Sequence, residues 1–167
     1  LDELLRSRSG KAGPPGVTVL ELARFGAINE TYGHEIGDAV MVAVSDKLQK
    51  LVRNDERLYR LGGPQFVVLT PSIASTAALD TQTSELQKAI DLPLRVGRDK
   101  VRITTIAGVA AAESDQVTAD DLLLDACTAL HEASEQSLPR VAFHLALRSK
   151  LTPANAERRL RTALEEK

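Results

Sequence analysis

The chain contains no tryptophan, and its aromatic residues amount to 3% of 167 positions. Stacking platforms of the kind that hold single-stranded nucleic acid are therefore not expected, and aliphatic side chains must carry the core. The single cysteine, Cys127, rules out an internal disulfide; it falls inside a helical pattern with no redox partner beside it and reads as a packing residue. His34, His131 and His144 lie far apart, and none has the paired spacing of zinc ligands. No apolar run reaches the length of a membrane span or resembles a signal peptide, so a cytoplasmic setting is expected. Charge of one sign is also missing. With 21 basic and 23 acidic residues the net charge is -2, and neither nucleic acid nor a membrane surface is expected as a partner.

What is present is a chain of single-domain size in which strand-like and helix-like stretches alternate. Leu1 to Arg8 has helical composition, and Gly10 to Gly16, with Pro14 and Pro15, forms a turn. Val17 to Leu22 is apolar on both sides and predicts a central strand. A helical turn over Arg24 to Asn29 is broken by Thr31-Tyr32-Gly33-His34. Asp38 then predicts the N-cap of a helix running to about Val52, with Val40, Met41, Val44, Leu48 and Leu51 on its buried stripe.

The chain is organised around a hairpin. Arg57 to Leu61 and Phe66 to Leu69 flank Gly62-Gly63-Pro64-Gln65, where paired glycines supply the positive φ of a tight turn. Beyond it, Ser75 to Ile90 predicts a surface amphipathic helix. Leu94 to Val96 and Val101 to Ala110 predict a second hairpin about Gly97-Arg98-Asp99, with Gly108 marking a close backbone approach. Thr118 predicts a helix cap followed by Asp120 and Asp121, and Leu122, Ala126, Leu130 and Ala133 share its stripe as far as Pro139. Val141 to Leu147 returns as a strand, and a last helix starts at Thr152-Pro153. The order implies an α/β (α+β) fold with a mixed central β-sheet flanked by helices.

The pattern Phe25-x-x-Ile28-Asn29-x-Thr31-Tyr32-Gly33-His34-x-x-Gly37-Asp38, followed by Gly62-Gly63-Pro64-Gln65-Phe66, resembles the GGDEF domain family, whose members condense two GTP molecules into cyclic di-GMP. The resemblance runs from Leu1 to Leu147 and implies a nucleotidyl cyclase-like domain over residues 1–149, with the β-hairpin as its signature loop. Residues 150–167 contain Ala156 to Glu165, which resembles the linker helix leading from such a domain into an EAL phosphodiesterase domain.

By this resemblance a metal would sit at Glu21, the Leu22 carbonyl and Pro64, the third position of the signature. Divalent ions on triphosphates need anionic oxygen ligands, yet the two acids of the signature are here Pro64 and Gln65. Where family members carry phosphate-gripping basic residues, this chain has Gly26, Ser134 and Leu138. Asn29 and Asp38 match the guanine-contacting residues, although a turn-stabilising amide and a helix cap are equally good readings of the two. Arg53-Asn54-Asp55-Glu56 falls at the family's inhibitory cyclic di-GMP site, of the form Arg-x-x-Asp. Glu56 is longer than the usual acid, and a solvated charged turn is the plainer reading.

The expected function is thus a catalytically inactive, degenerate GGDEF domain, without a cofactor of its own and with Mg²⁺ only alongside any bound GTP. It would serve as a regulatory, nucleotide-sensing or dimerisation module in bacterial cyclic di-GMP signalling. The implied partners are weakly bound GTP or cyclic di-GMP, an adjacent EAL domain, or a second copy. Two alternatives stand beside it: an active diguanylate cyclase with an altered loop, and an effector that binds cyclic di-GMP through the Arg53 region.

Overall fold

The computed structural model describes residues 13–112 and 117–143. The helices expected at Leu1 to Arg8 and from Thr152 onward, the end of the last strand and His144 lie outside them. A five-stranded sheet has the order β2-β3-β1-β6-β7, formed by Arg57–Gly62, Gln65–Thr70, Gly16–Leu22, Thr105–Ala111 and Arg140–Ala142. All pairings are antiparallel except β6 with β7, so the sheet is mixed as expected. β4 (Leu94–Val96) and β5 (Asp99–Val101) form a separate two-stranded ribbon.

The central strand β1 explains the two layers. Its side chains alternate between faces, so Leu20 and Leu22 join α1 (Phe25–Tyr32), α2 (His34–Leu51), α3 (Thr76–Ile90) and the ribbon in one cluster. Val17 and Val19 face α4 (Ala119–Glu135) in the other, beside Leu122, Ala126 and Leu130. Gly108 lies where α4 crosses β6, and a Cβ there would collide with the Ala126 carbonyl oxygen and the Leu130 amide, so the close approach read from the sequence is real. The Thr118 cap also holds. Its hydroxyl accepts from Asp121 N at 3.1 Å, and its own N–H donates to the Asp121 carboxylate at 3.3 Å.

Three expectations are corrected and one is refined. Asp38 is not a cap, because α2 already starts at His34 after Gly33, whose φ of 86° turns the chain with no side-chain cap. The run Val101 to Ala110 is two strands rather than one. Asp91 accepts from the Thr105 N–H and hydroxyl, both at 2.9 Å, and starts β6 afresh there. Loss of water around this carboxyl raises its pKa, and the two Thr105 bonds oppose the shift.

The refinement concerns α3, which is the partly exposed amphipathic helix expected but keeps two polar residues on its covered face. Thr83 and Gln87 are buried, the first bonded to Thr18 across the sheet face and the second donating to the carbonyls of Thr105 and Pro139 at 3.0 and 2.7 Å. The third correction is Glu56. It is no part of a solvated turn, since it is buried and accepts from the Arg53 backbone N–H and guanidinium, the Thr70 hydroxyl and the Gln82 amide.

Candidate functional site

The end of β1 and the β2–β3 tip meet because Glu21 is in register with Gln65 across the antiparallel ladder. Gln65 Nε2 donates to Glu21 Oε2 at 2.6 Å, and Leu22 N–H donates to the Pro64 carbonyl at 3.1 Å. The tip is further closed by Arg60, whose guanidinium donates to the Gly63 carbonyl and lies 5.7 Å from the centre of the Phe66 ring. Gly62 and Gly63 take φ of 134° and 46°, the turn conformations that their pairing in the sequence implied.

This is a poor cage for a divalent cation. Glu21 supplies one carboxylate, already bonded to an amide, the Leu22 carbonyl is neutral, and Pro64 has no side-chain oxygen. Two facing acids would need a cation between them to avoid repulsion. A glutamine opposite one acid satisfies it directly. Among the described residues no group of three His, Cys, Asp or Glu side chains is placed to hold a metal.

At the positions that the resemblance assigns to phosphate-gripping cations, space is not what is lacking. A side chain at Gly26, on exposed α1, would meet nothing within 4 Å, and Ser134 and Leu138 are both exposed around the end of α4. There is room for long cations at these positions, and none is encoded. His131 pairs with Glu135 at 2.8 Å, one helical turn on, and Cys127 packs in the α4-side cluster.

Asn29 and Asp38 are brought together where α1 and α2 meet. The Asn29 Oδ1 atom is buried against Gly37, the residue before Asp38, so closely that a Cβ at Gly37 could not fit. That oxygen has no hydrogen-bond partner. The acceptor half of the amide is therefore turned inward in this packing. Asp38 is exposed on the first turns of α2.

The Arg53 region is a separate place, beyond the other end of the 18-residue α2. Arg53 Nε and Nη2 donate to Glu56 Oε1 at 3.1 and 2.9 Å, so the longer acid does pair with the arginine. A groove of about 370 Å³ opens beside it, lined by Arg53, Ser72, Ile73, Thr81, Gln82 and Glu85 among others. Burial of Glu56 is the feature that sequence reasoning missed. Its partners Thr70 and Gln82 lie 14 and 26 residues away, and no local pattern announces them.

Comparison with known proteins supplies the lineage of this arrangement. A family model described as diguanylate cyclase, GGDEF domain, matches residues 1–138. The chain is 32% identical over 120 residues to the bifunctional diguanylate cyclase/cyclic di-GMP phosphodiesterase MucR of Pseudomonas aeruginosa, covering 72% of this chain and 17% of that protein. It is equally 32% identical over 120 residues to the cyclic di-GMP phosphodiesterase PdeR of Escherichia coli, covering 72% and 18%. The crystal structure of the GGDEF domain of YfiN (TpbB) from Pseudomonas aeruginosa superposes with a TM-score of 0.78 at 27% identity, covering 87% of this chain and 91% of that one. The chain thus spans less than a fifth of these two relatives, and it belongs to the GGDEF domain family.

Proposed function

We propose that this is a degenerate GGDEF domain that makes no cyclic di-GMP and acts as a regulatory, nucleotide-sensing module within a larger signalling protein, attached to an EAL domain. The observation that carries the reading is the Gln65–Glu21 hydrogen bond, which satisfies the one acid left at the metal position without a cation. Base recognition at Asn29 and Asp38 is retained in part, while the phosphate end has lost acids and cations alike. Mg²⁺, where present, arrives with GTP rather than being held by the protein.

The balance of binding therefore shifts from the triphosphate to guanine. A pocket that reads only the base tells guanine from adenine and hardly distinguishes the number of phosphates. A few polar contacts at about 1 kcal/mol net each leave affinity in the millimolar range, roughly -4 kcal/mol. Calorimetry with GTP, GDP and ATP, with and without Mg²⁺, tests this. Weak, metal-independent binding that favours guanine and falls in Asp38→Ala is expected, whereas micromolar, Mg²⁺-dependent GTP binding would refute the loss of the phosphate grip.

A second reading is favoured by the Arg53–Glu56 pair and its groove: response to cyclic di-GMP through Arg53. The pair leaves the guanidinium held in place yet 54% exposed, as a ligand contact requires. Saturable cyclic di-GMP binding that disappears in Arg53→Ala is the expected signature. Tight binding that survives the substitution would place the site elsewhere.

A further inference from the structure

The chain is nearly neutral, but its surface charges are segregated. The ribbon and the residue after it carry Arg95, Arg98, Lys100 and Arg102 against one acid, Asp99. All four cations are exposed, and among the described residues none is in an ion pair. Arg95 lies directly opposite Lys100 in the antiparallel register. Like charges at facing positions oppose strand pairing. Leu94, Val96 and Val101 are what hold the ribbon in the core, so its basic face is an addition that folding of this domain does not call for.

The complementary surface lies on the same molecule. Along α2, Glu35, Asp38, Val42 and Asp46 recur at helical spacing on the line opposite the buried Val40, Val44 and Leu48. These three carboxylates also have no ion-pair partner among the described residues. Val42 stands within the acidic stripe, and Leu92 stands two residues before the ribbon begins. Val42 is 61% exposed and Leu92, at the foot of the ribbon, is 57% exposed, the two most exposed of the large apolar side chains among the described residues. An apolar anchor within a charged rim is the make-up of a protein interface, and it differs from a polyanion site, which would not need the leucine.

We propose that the basic β4–β5 ribbon of one copy docks on the acidic outer stripe of α2 of a second copy. The ribbon packs beside α2 within the chain, so both surfaces belong to one side of the domain, and a two-fold arrangement lets each copy give and receive the contact. Opposing carboxylates would offset the Arg95–Lys100 repulsion, and Leu92 and Val42 would leave water. The inference does not rest on the nucleotide reading: Asp38 belongs both to the stripe and to the candidate base site, so the variants that test the interface change only Glu35, Asp46, Arg95 and Lys100.

The test is sedimentation equilibrium of the 167-residue chain across a concentration series at low and high salt. A monomer–dimer equilibrium is expected, with its dissociation constant rising about tenfold or more between ~0.02 and ~0.5 M salt, as the Debye length shrinks several-fold. Arg95→Glu with Lys100→Glu should be monomeric, and so should Glu35→Lys with Asp46→Lys, each with an unchanged circular dichroism spectrum. Mixed together the two variants should form a heterodimer, since each acidic ribbon then meets a basic stripe and the converse contact forms as well. A chain monomeric at every concentration in low salt, a dimer indifferent to both reversals, or a mixture that stays monomeric would each overturn the proposal. So would a monomer whose ribbon arginines instead bind a DNA duplex or phosphatidylserine vesicles.

Discussion

Incubated with GTP and Mg²⁺ or Mn²⁺, the chain is expected to yield no cyclic di-GMP above a no-protein control when the products are separated by chromatography. Phosphoryl transfer depends on positioning and charge stabilisation, and on the proposed reading both devices are depleted here. Pro64 supplies neither ligand nor N–H, Gln65 is tied to Glu21 at 2.6 Å, and Gly26, Ser134 and Leu138 carry no cation. Each such group contributes about 2 to 4 kcal/mol, and every ~1.4 kcal/mol is tenfold in rate. Non-additivity reduces the sum without returning the rate to a measurable one.

The double change Pro64→Asp with Gln65→Glu should therefore still fail, because it restores acids while the triphosphate remains ungripped. A product peak from the unaltered chain would overturn the reading. Robust activity from the double variant would show that the missing cations matter less than the acids.

The second large effect is on stability. Glu56→Ala should lower the melting temperature by roughly 10 °C in a thermal scan, from a loss of about 3 kcal/mol at 2 to 4 °C per kcal/mol for a domain of this size. The Glu56 side chain is fully buried and joins the turn after α2 to β3 through Thr70 and to α3 through Gln82. Removing it leaves those donors and the Arg53 backbone N–H without an acceptor in a site that water enters poorly. The guanidinium of Arg53 is half exposed and can turn to solvent, which keeps the loss at the lower end of the range for a broken buried pair. A change of less than about 3 °C would mean that the network contributes less than about 1.5 kcal/mol and that solvent replaces it.

These two effects differ in how far the sequence alone could find them. The proposed loss of the phosphate grip is a statement about residue identity, and Pro64 and Gln65 at positions where the family signature has acids are visible in a string of letters. The Glu56 network is not, because an acid beside an arginine looks the same whether water or protein surrounds it.

Much of the architecture was legible for a similar reason. The Gly62-Gly63 turn, the Thr118 cap and the close approach at Gly108 depend on the conformational freedom or hydrogen-bonding reach of residues at most a turn apart, or on the absence of a side chain. The same holds for β1 and for the stripe of α2 as far as Leu48, whose apolar spacing encodes which face is covered; Leu51, expected on that stripe, is exposed at the helix end. Only the tertiary structure decided the rest. Asp38 moved inside α2 because Gly33 turns the chain and Gly37 admits the Asn29 side chain; the strand expected from Val101 broke because Asp91, 14 residues before Thr105, fastens the new start. Gln87 went inside because two carbonyls from β6 and the approach to β7 needed a donor, and Gln65 turned to Glu21 across 44 residues of chain. Except at Asp38, which the local turn at Gly33 decided, a polar side chain was placed by a partner distant in sequence, because burial favours pairing and the chain pairs such a group with whatever the fold brings within reach.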